Sequence, residues 1–245
     1  MLGPARLLAL VAAFSSSSSS AAAAAPPMIL GVDVSTPVNA AAALCMKQQH
    51  NIDFAISRAW YSDGAGLDHA AIESGASFRA ANISFDVYMF PCSFGLSAAS
   101  QVEQLVANLS ANQVQFGSIW FDVEYNPDSR CAWSKTNKTA NCEFMTDLVK
   151  AAESTNALWG VYSSIHMWTE IMTDASNPGG CASASAAGLP LWYPHYESPP
   201  NPTFSDFAPF GGWSKPTIKQ FGDGDVPPGA LCGIGVDNNV APAIV

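Results

Sequence analysis

A chain of 245 residues that is 49% hydrophobic and only 12% charged can bury a sizeable core, which excludes a disordered or tail-like protein. Its formal charge of -10 makes it a poor partner for nucleic acid or for an anionic membrane surface. The length permits two domains, but α/β barrels of roughly 200 to 250 residues fold as one unit, and one domain is expected.

The chain opens on MLGPARLLALVAAF, where Arg6 precedes a short apolar run at 7–14, followed by Ser and Ala tracts through Ala25. That order predicts a secretory signal and low-complexity spacer over residues 1–26 and a folded unit over 27–245. The apolar run is too short to span a bilayer, which needs about 20 residues. Losing Arg6 takes the charge from -10 to -11, because no Asp or Glu precedes Asp33.

From residue 28 onward the apolar segments follow a strand-then-helix rhythm. Strands are predicted at 28–35 (MILGVDVS), 52–60 (IDFAISRAW), 83–90 (ISFDVYMF), 117–124 (GSIWFDVE) and 159–164 (WGVYSS). Three more follow at 189–196 (LPLWYPHY), 217–221 (TIKQF) and 234–239 (IGVDNN), in a loop-rich final third. Helical stretches separate the first five, and the spacing Ser100-Gln-Val-Glu103 predicts a capping box that starts the third helix. Eight strands with fewer than eight helices point to an α/β fold, an irregular parallel (β/α) barrel of TIM-barrel type.

Six cysteines, at 45, 92, 131, 142, 181 and 232, lack the paired spacing of a zinc site and fit three disulfides in an oxidising compartment. Fifteen pairings are possible. The proximity of Cys131 and Cys142 across a polar loop makes that pair the first expectation. Sequons at Asn82, Asn108 and Asn137 agree with secretion. No nucleotide loop, serine-hydrolase elbow or HExxH spacing is present, so neither a cofactor nor a metal is implied.

Active sites of parallel barrels gather where strands end. Asp33 closes the first predicted strand, Asp122 and Glu124 the fourth, and Asp237 the last. Residues 122 and 124 share one face of a strand, with Cα atoms about 6 to 7 Å apart. Two carboxylates so placed do not both ionise cheaply; one stays protonated beside an anion, which is the arrangement that glycosidic cleavage requires. The Asp-x-Glu spacing alone is common, and its strand-end setting supplies the weight. Aromatics near strand ends suit sugar rings, Tyr88, Tyr162 and Tyr193 most of all, with Trp120 reading as core and His195 as a cleft or packed residue.

GVDVS at 31–35, FAISRAW at 54–60, VYMFPC at 87–92, IWFDVEYNP at 119–127, WGVYSS, LWYPHY, FGGWSKPTIKQF at 210–221 and GVDNN at 235–239 together resemble glycoside hydrolase family 25, the CH-type lysozymes, in its eukaryotic secreted branch. The resemblance runs through nearly the whole of 27–245 in the family's order. It implies an irregular α/β barrel and hydrolysis of the β-1,4 bond after N-acetylmuramic acid in peptidoglycan. By position it makes Glu124 the general acid, Asp122 its partner and Asp33 and Asp237 flanking carboxylates, and it adds Arg58, Trp192 and Gln220 to the tyrosines and His195 as substrate contacts. It leaves open whether a carboxylate or the substrate's own acetamido group attacks the sugar. Phe221 stands where a Tyr often follows the strand-seven Gln, and Asn238 lies between Asp237 and Asn239; both bear on substrate contact and not on the acid groups.

The expected protein is thus a secreted or lysosomal monomer that acts on peptidoglycan glycan strands for defence or digestion. A non-catalytic glycan-binding protein on the same fold and a chitin-active glycosidase are the alternatives; no DxxDxDxE series supports the second. With a sequence pI near 4.6, repulsion from an anionic wall fades at acid pH, so an acidic optimum is expected.

Overall fold

The computed structural model describes residues 27–174, 180–222 and 231–243; the predicted leader over 1–26 lies outside them. Eight strands form one closed barrel in sequential order: β1 Met28–Val34, β2 Ile52–Trp60, β3 Ser84–Met89, β4 Ser118–Asp122, β5 Leu158–Tyr162, β6 Leu191–Pro194, β7 Ile218–Gly222 and β8 Asp237–Pro242. The helices among the described residues are α1 Ala40–His50, α2 Ala70–Ala80, α3 Ala98–Ala111, α4 Lys138–Glu153, α5 Ile165–Met172 and the short α6 Ser183–Ala186. None is long and apolar enough to cross a membrane.

The strands read as continuous apolar runs because both faces are covered. Outward positions such as Val32, Ala55, Val87, Phe121 and Val161 pack under the helices. Inward positions Phe54, Ile56, Tyr88, Trp120, Tyr162, Trp192 and Ile218 fill the lumen. Trp192 sits edge-on to Tyr88, Trp120 and Tyr162, with ring centroids at 6.3, 6.0 and 4.5 Å, so the barrel is plugged with aromatic rings and has no pore. Glycines make room for them. A Cβ on Gly31 would stand 2.3 Å from the Phe54 ring, and one on Gly160 would stand 2.3 Å from Trp120.

Three expectations need correction. The barrel is not wholly parallel, because β8 runs antiparallel to both β1 and β7. Among the described residues no helix separates β7 from β8, and a chain that returns at the end where it left pairs antiparallel. As a result Asp237 opens its strand, whereas the sequence reading had it at the close. Second, α3 begins a turn earlier than the 100–103 box: Ser97 is its N-cap, accepting from the Ser100 backbone N–H at 3.1 Å. Ser97 is as good a cap as Ser100, and the two alanines between them extend the helix at no cost. Third, the disulfides are Cys45–Cys232, Cys92–Cys131 and Cys142–Cys181, so Cys131 and Cys142 are not partners. Cys131 lies in the loop beyond β4 beside the β3 exit, whereas Cys142 sits on α4 facing the stretch ahead of α6; nearness along the chain did not translate into nearness in space.

Because lumen packing supports the site above it, Gly160→Ala is expected to destabilise the fold by about 1–3 kcal/mol through overpacking against Trp120. Denaturant titration followed by tryptophan fluorescence measures this, and an unchanged midpoint would mean the ring can yield.

Candidate active site

Strand alternation sends Asp33, Arg58, Tyr88, Asp122, Tyr162 and Gln220 inward at the carboxyl ends of β1, β2, β3, β4, β5 and β7. Register shifts at Arg58/Trp60 and Gln220/Gly222 are local irregularities of the kind that re-aim side chains at a barrel rim. Asp237 joins this ring because β8 enters from the mouth; it is paired directly opposite Asp33 in the antiparallel ladder. Cβ atoms of such pairs lie about 4.5 to 5.5 Å apart, so two carboxyl groups meet there. Glu124 follows β4 by two residues and is half-buried.

Gln220 organises the pair. Its Oε1 accepts hydrogen bonds from the hydroxyls of Tyr162 at 2.8 Å and Tyr196 at 2.7 Å, which orients the amide. Its Nε2 then donates to Asp33 Oδ2 at 2.8 Å and to Asp237 Oδ2 at 3.3 Å. Asn239 Nδ2 adds a second donor to Asp33 Oδ2 at 2.7 Å, while its own Oδ1 accepts from the Trp192 indole at 2.8 Å. Asp122 is treated differently: its Oδ1 is buried and has no hydrogen-bond partner. Arg58, which eases Asp122's charge, is held by Asp68 at 2.7 Å and by the Ser35 carbonyl at 3.1 Å.

Burial sets the proton affinities. Removal from water, with Asp237 close by, pushes Glu124 up to about 7. Asp33 rises to about 8 from burial and from Asp237, against the lowering effect of Asn239 and Gln220. Burial, then Glu124 and Asp33, carry Asp122 well above the usual carboxylate range. At mildly acid pH the cluster therefore holds protons among closely spaced acids, the state from which one member can donate.

The four carboxylates and Arg58, Tyr88, Tyr162 and Gln220 come together at the mouth. Trp192 lies in the lumen beneath them. Tyr193 does not join them: one step along β6 it faces outward, packs on Phe204 and Phe207, and donates to Asp206 at 2.9 Å. His195, on the same outward phase, is exposed with Nδ1 3.3 Å from Asp206. The alternation of LWYPHY already separates Trp192 from Tyr193 and His195 once one of them is assigned inward. Asn239 and Tyr196 are site residues that sequence reasoning did not single out; Asn239 stands two positions beyond Asp237, hence on its face, and that spacing was the available signal. His195, Glu197 and Asp206 could in principle share a cation, but the buried Lys219 ammonium already sits 2.6 Å from Asp206.

A closed barrel with four acidic groups at the mouth is an arrangement seen in glycoside hydrolases. The sequence profile of the family described as "Lysozyme-like protein 1" matches residues 24–221. "Probable GH family 25 lysozyme 2" of Dictyostelium discoideum is 38% identical over 215 residues, covering 87% of this chain and 91% of the relative. "Lysozyme-like protein 5" of Caenorhabditis elegans is 32% identical over 86% of this chain and 91% of its own length. Among solved structures, a muramidase from Acremonium alcalophilum superposes with a TM-score of 0.65 at 19% identity, over 89% of this chain and 95% of that one, a likeness of fold. The chain belongs to the lysozymes of glycoside hydrolase family 25.

Raised carboxyl pKa values tie stability to pH. Glu124 and Asp33 bind protons more tightly folded than unfolded, where their ordinary values are 4.5 and 3.8. The stabilisation is full below the ordinary values and is lost as pH rises through about 7 for Glu124 and about 8 for Asp33. The melting temperature should accordingly fall between pH 4.5 and pH 8, and Glu124→Gln should flatten that fall; calorimetry across this window, with a rise instead of a fall, would count against the burial of these groups.

Proposed function

We propose that residues 27–245 form the catalytic unit of a secreted muramidase that cleaves the β-1,4 bond after N-acetylmuramic acid in bacterial peptidoglycan. The observation that carries the reading is the convergence of Asp122 and Glu124 with Asp33 and Asp237 at one barrel mouth, in a chain of this family. Relatives whose names call them lysozymes support the choice of substrate.

In this reading Glu124, protonated up to about pH 7, gives its proton to the glycosidic oxygen as the bond to the anomeric carbon breaks. Asp122 faces the positive charge that develops on the sugar ring, and acts in those molecules in which the protons shared by the cluster sit on its neighbours and leave it ionised. Its carboxyl group receives the N–H of the substrate's acetamido group, whose oxygen then closes on the anomeric carbon. Glu124, now a carboxylate, takes a proton from water, and the hydroxide opens that ring and restores the acid. Gln220 holds Asp237, which adds to the effect of burial in keeping the proton affinity of Glu124 high. Tyr88 and Tyr162 keep their rings packed on Trp192 in the lumen and present only their hydroxyl ends towards the sugars.

Secretion rests on the leader over 1–26 and on the three disulfides. Asn82 and Asn137 are exposed and suited to glycan attachment; Asn108 is half-buried, with Nδ2 bonded to the Gln104 carbonyl at 2.8 Å.

Incubation of the protein with defined peptidoglycan from pH 3 to pH 8, with product analysis, tests the reaction. Release of reducing ends at muramic acid should peak on the acid side and fall as pH rises through about 7. Glu124→Gln should lower turnover by about two to four orders of magnitude with the fold intact. Wall binding with no reducing ends released by the native protein would instead favour a glycan-binding role.

A further inference from the structure

Loops that follow the strands of a barrel frame its mouth, and their exposed side chains meet whatever enters or leaves it. Among the described residues three aromatic side chains are exposed: Phe94, Tyr125 and Tyr196. All three stand at this one end, in the loops after β3, β4 and β6, while the described aromatics elsewhere are buried or half-buried. Tyr125 follows Glu124 directly, and Tyr196 donates to Gln220 at 2.7 Å, so both adjoin the acid cluster. Phe94 lies one loop further round, beyond the ring of catalytic groups.

Phe94 is 73% exposed, and its loop is built to keep it there. The buried side-chain amide of Gln101, near the start of α3, accepts from the Cys92 N–H at 2.9 Å. The same amide donates to the Cys92 and Leu96 carbonyls at 2.8 and 2.9 Å, so one group clamps the chain two residues to either side of the ring. Ser93 Oγ donates to the Ala132 carbonyl at 2.7 Å and Cys92 is bridged to Cys131, which ties the loop to the one after β4. That neighbouring loop brings the exposed Arg130, paired with Asp128, alongside.

A surface ring on a fixed loop is more informative than one on a loose loop. A loose Phe folds down onto apolar neighbours, whereas a pinned backbone holds the ring out and leaves little entropy to lose when something covers it.

We propose that Phe94 is a stacking platform for a sugar of the glycan strand outside the cleavage site, so that the protein favours long strands over short oligosaccharides. The inference rests on the muramidase reading and specifies the length of strand that its site takes. A polymer cut in mid-strand leaves the mouth over the rim on both sides of the broken bond. A sugar ring presents a face of C–H groups that a phenyl ring covers, while its hydroxyls turn outward to polar partners, which Arg130 and Asp128 supply on the adjoining loop. Leu96, exposed beside Phe94, makes a lipid surface the competing occupant; the chain's charge of -10 opposes an anionic bilayer.

The test uses soluble, uncrosslinked peptidoglycan strands sorted by length, with reducing ends read across substrate concentration. For the native protein KM should fall from a tetrasaccharide to long strands. Phe94→Ala should raise KM on long strands about fivefold, equivalent to ~1 kcal/mol, with kcat unchanged. It should leave the tetrasaccharide kinetics as they were, and Phe94→Trp should restore the native KM. A native KM that is independent of length, or a Phe94→Ala variant that slows short and long strands alike or neither, would overturn the platform and leave the muramidase reading standing. Phe94-dependent pelleting with phosphatidylcholine vesicles, with KM on long strands unmoved, would overturn it in favour of a lipid-facing ring. Cleavage of no strand of any length would overturn the muramidase reading and this one with it.

Discussion

The site depends on one juxtaposition: Asp33 and Asp237 are opposite one another in the antiparallel pairing of β1 with β8. Like charges directly across a ladder oppose pairing, so the closure of this barrel would be disfavoured if both were ionised and bare. Gln220 and Asn239 meet the cost by donating three hydrogen bonds into the pair, and burial meets the rest by keeping a proton there. Burial does most to raise the proton affinity of Glu124, and Asp237, one half of this pair, adds to it.

Offsetting that local cost is the lumen beneath. Trp192 is buried among Tyr88, Trp120 and Tyr162, and its indole N–H reaches up to Asn239, so the aromatic plug and the acid cluster are one connected unit. Trp120 is anchored from the other end by donating to Asp86 at 2.9 Å. Such a stack positions the carboxylates from below with little conformational freedom to lose, since each ring has only two side-chain torsions. Asp122 gains nothing from this scaffold on its Oδ1, which is buried without a hydrogen-bond partner among the described residues.

On the outer side the design changes. Tyr193, Lys219 and Asp206 form a buried polar knot, with Lys219 fully covered and 2.6 Å from Asp206, that ties β6 and β7 to the long loop between them. The knot belongs to the scaffold. It shows how one strand can serve two chemistries, with Trp192 turned to the lumen and its neighbour Tyr193 turned to the loop.

The sequence by itself determined the strands, the helices between the first five, and the gathering of acids where β1 and β4 end. These are local matters, since hydrophobic period and strand alternation are written within a few residues. Three things were decided only by the tertiary structure: that β8 runs backwards, which turns Asp237 from a strand's last carboxylate into its first; that Cys131 pairs with Cys92; and that Gln220 is occupied in bracing Asp33 and Asp237. Each depends on where distant segments meet once the barrel closes. Asp33 and Gln220 stand 187 residues apart, and no local pattern encodes which donor will face which acid across that separation.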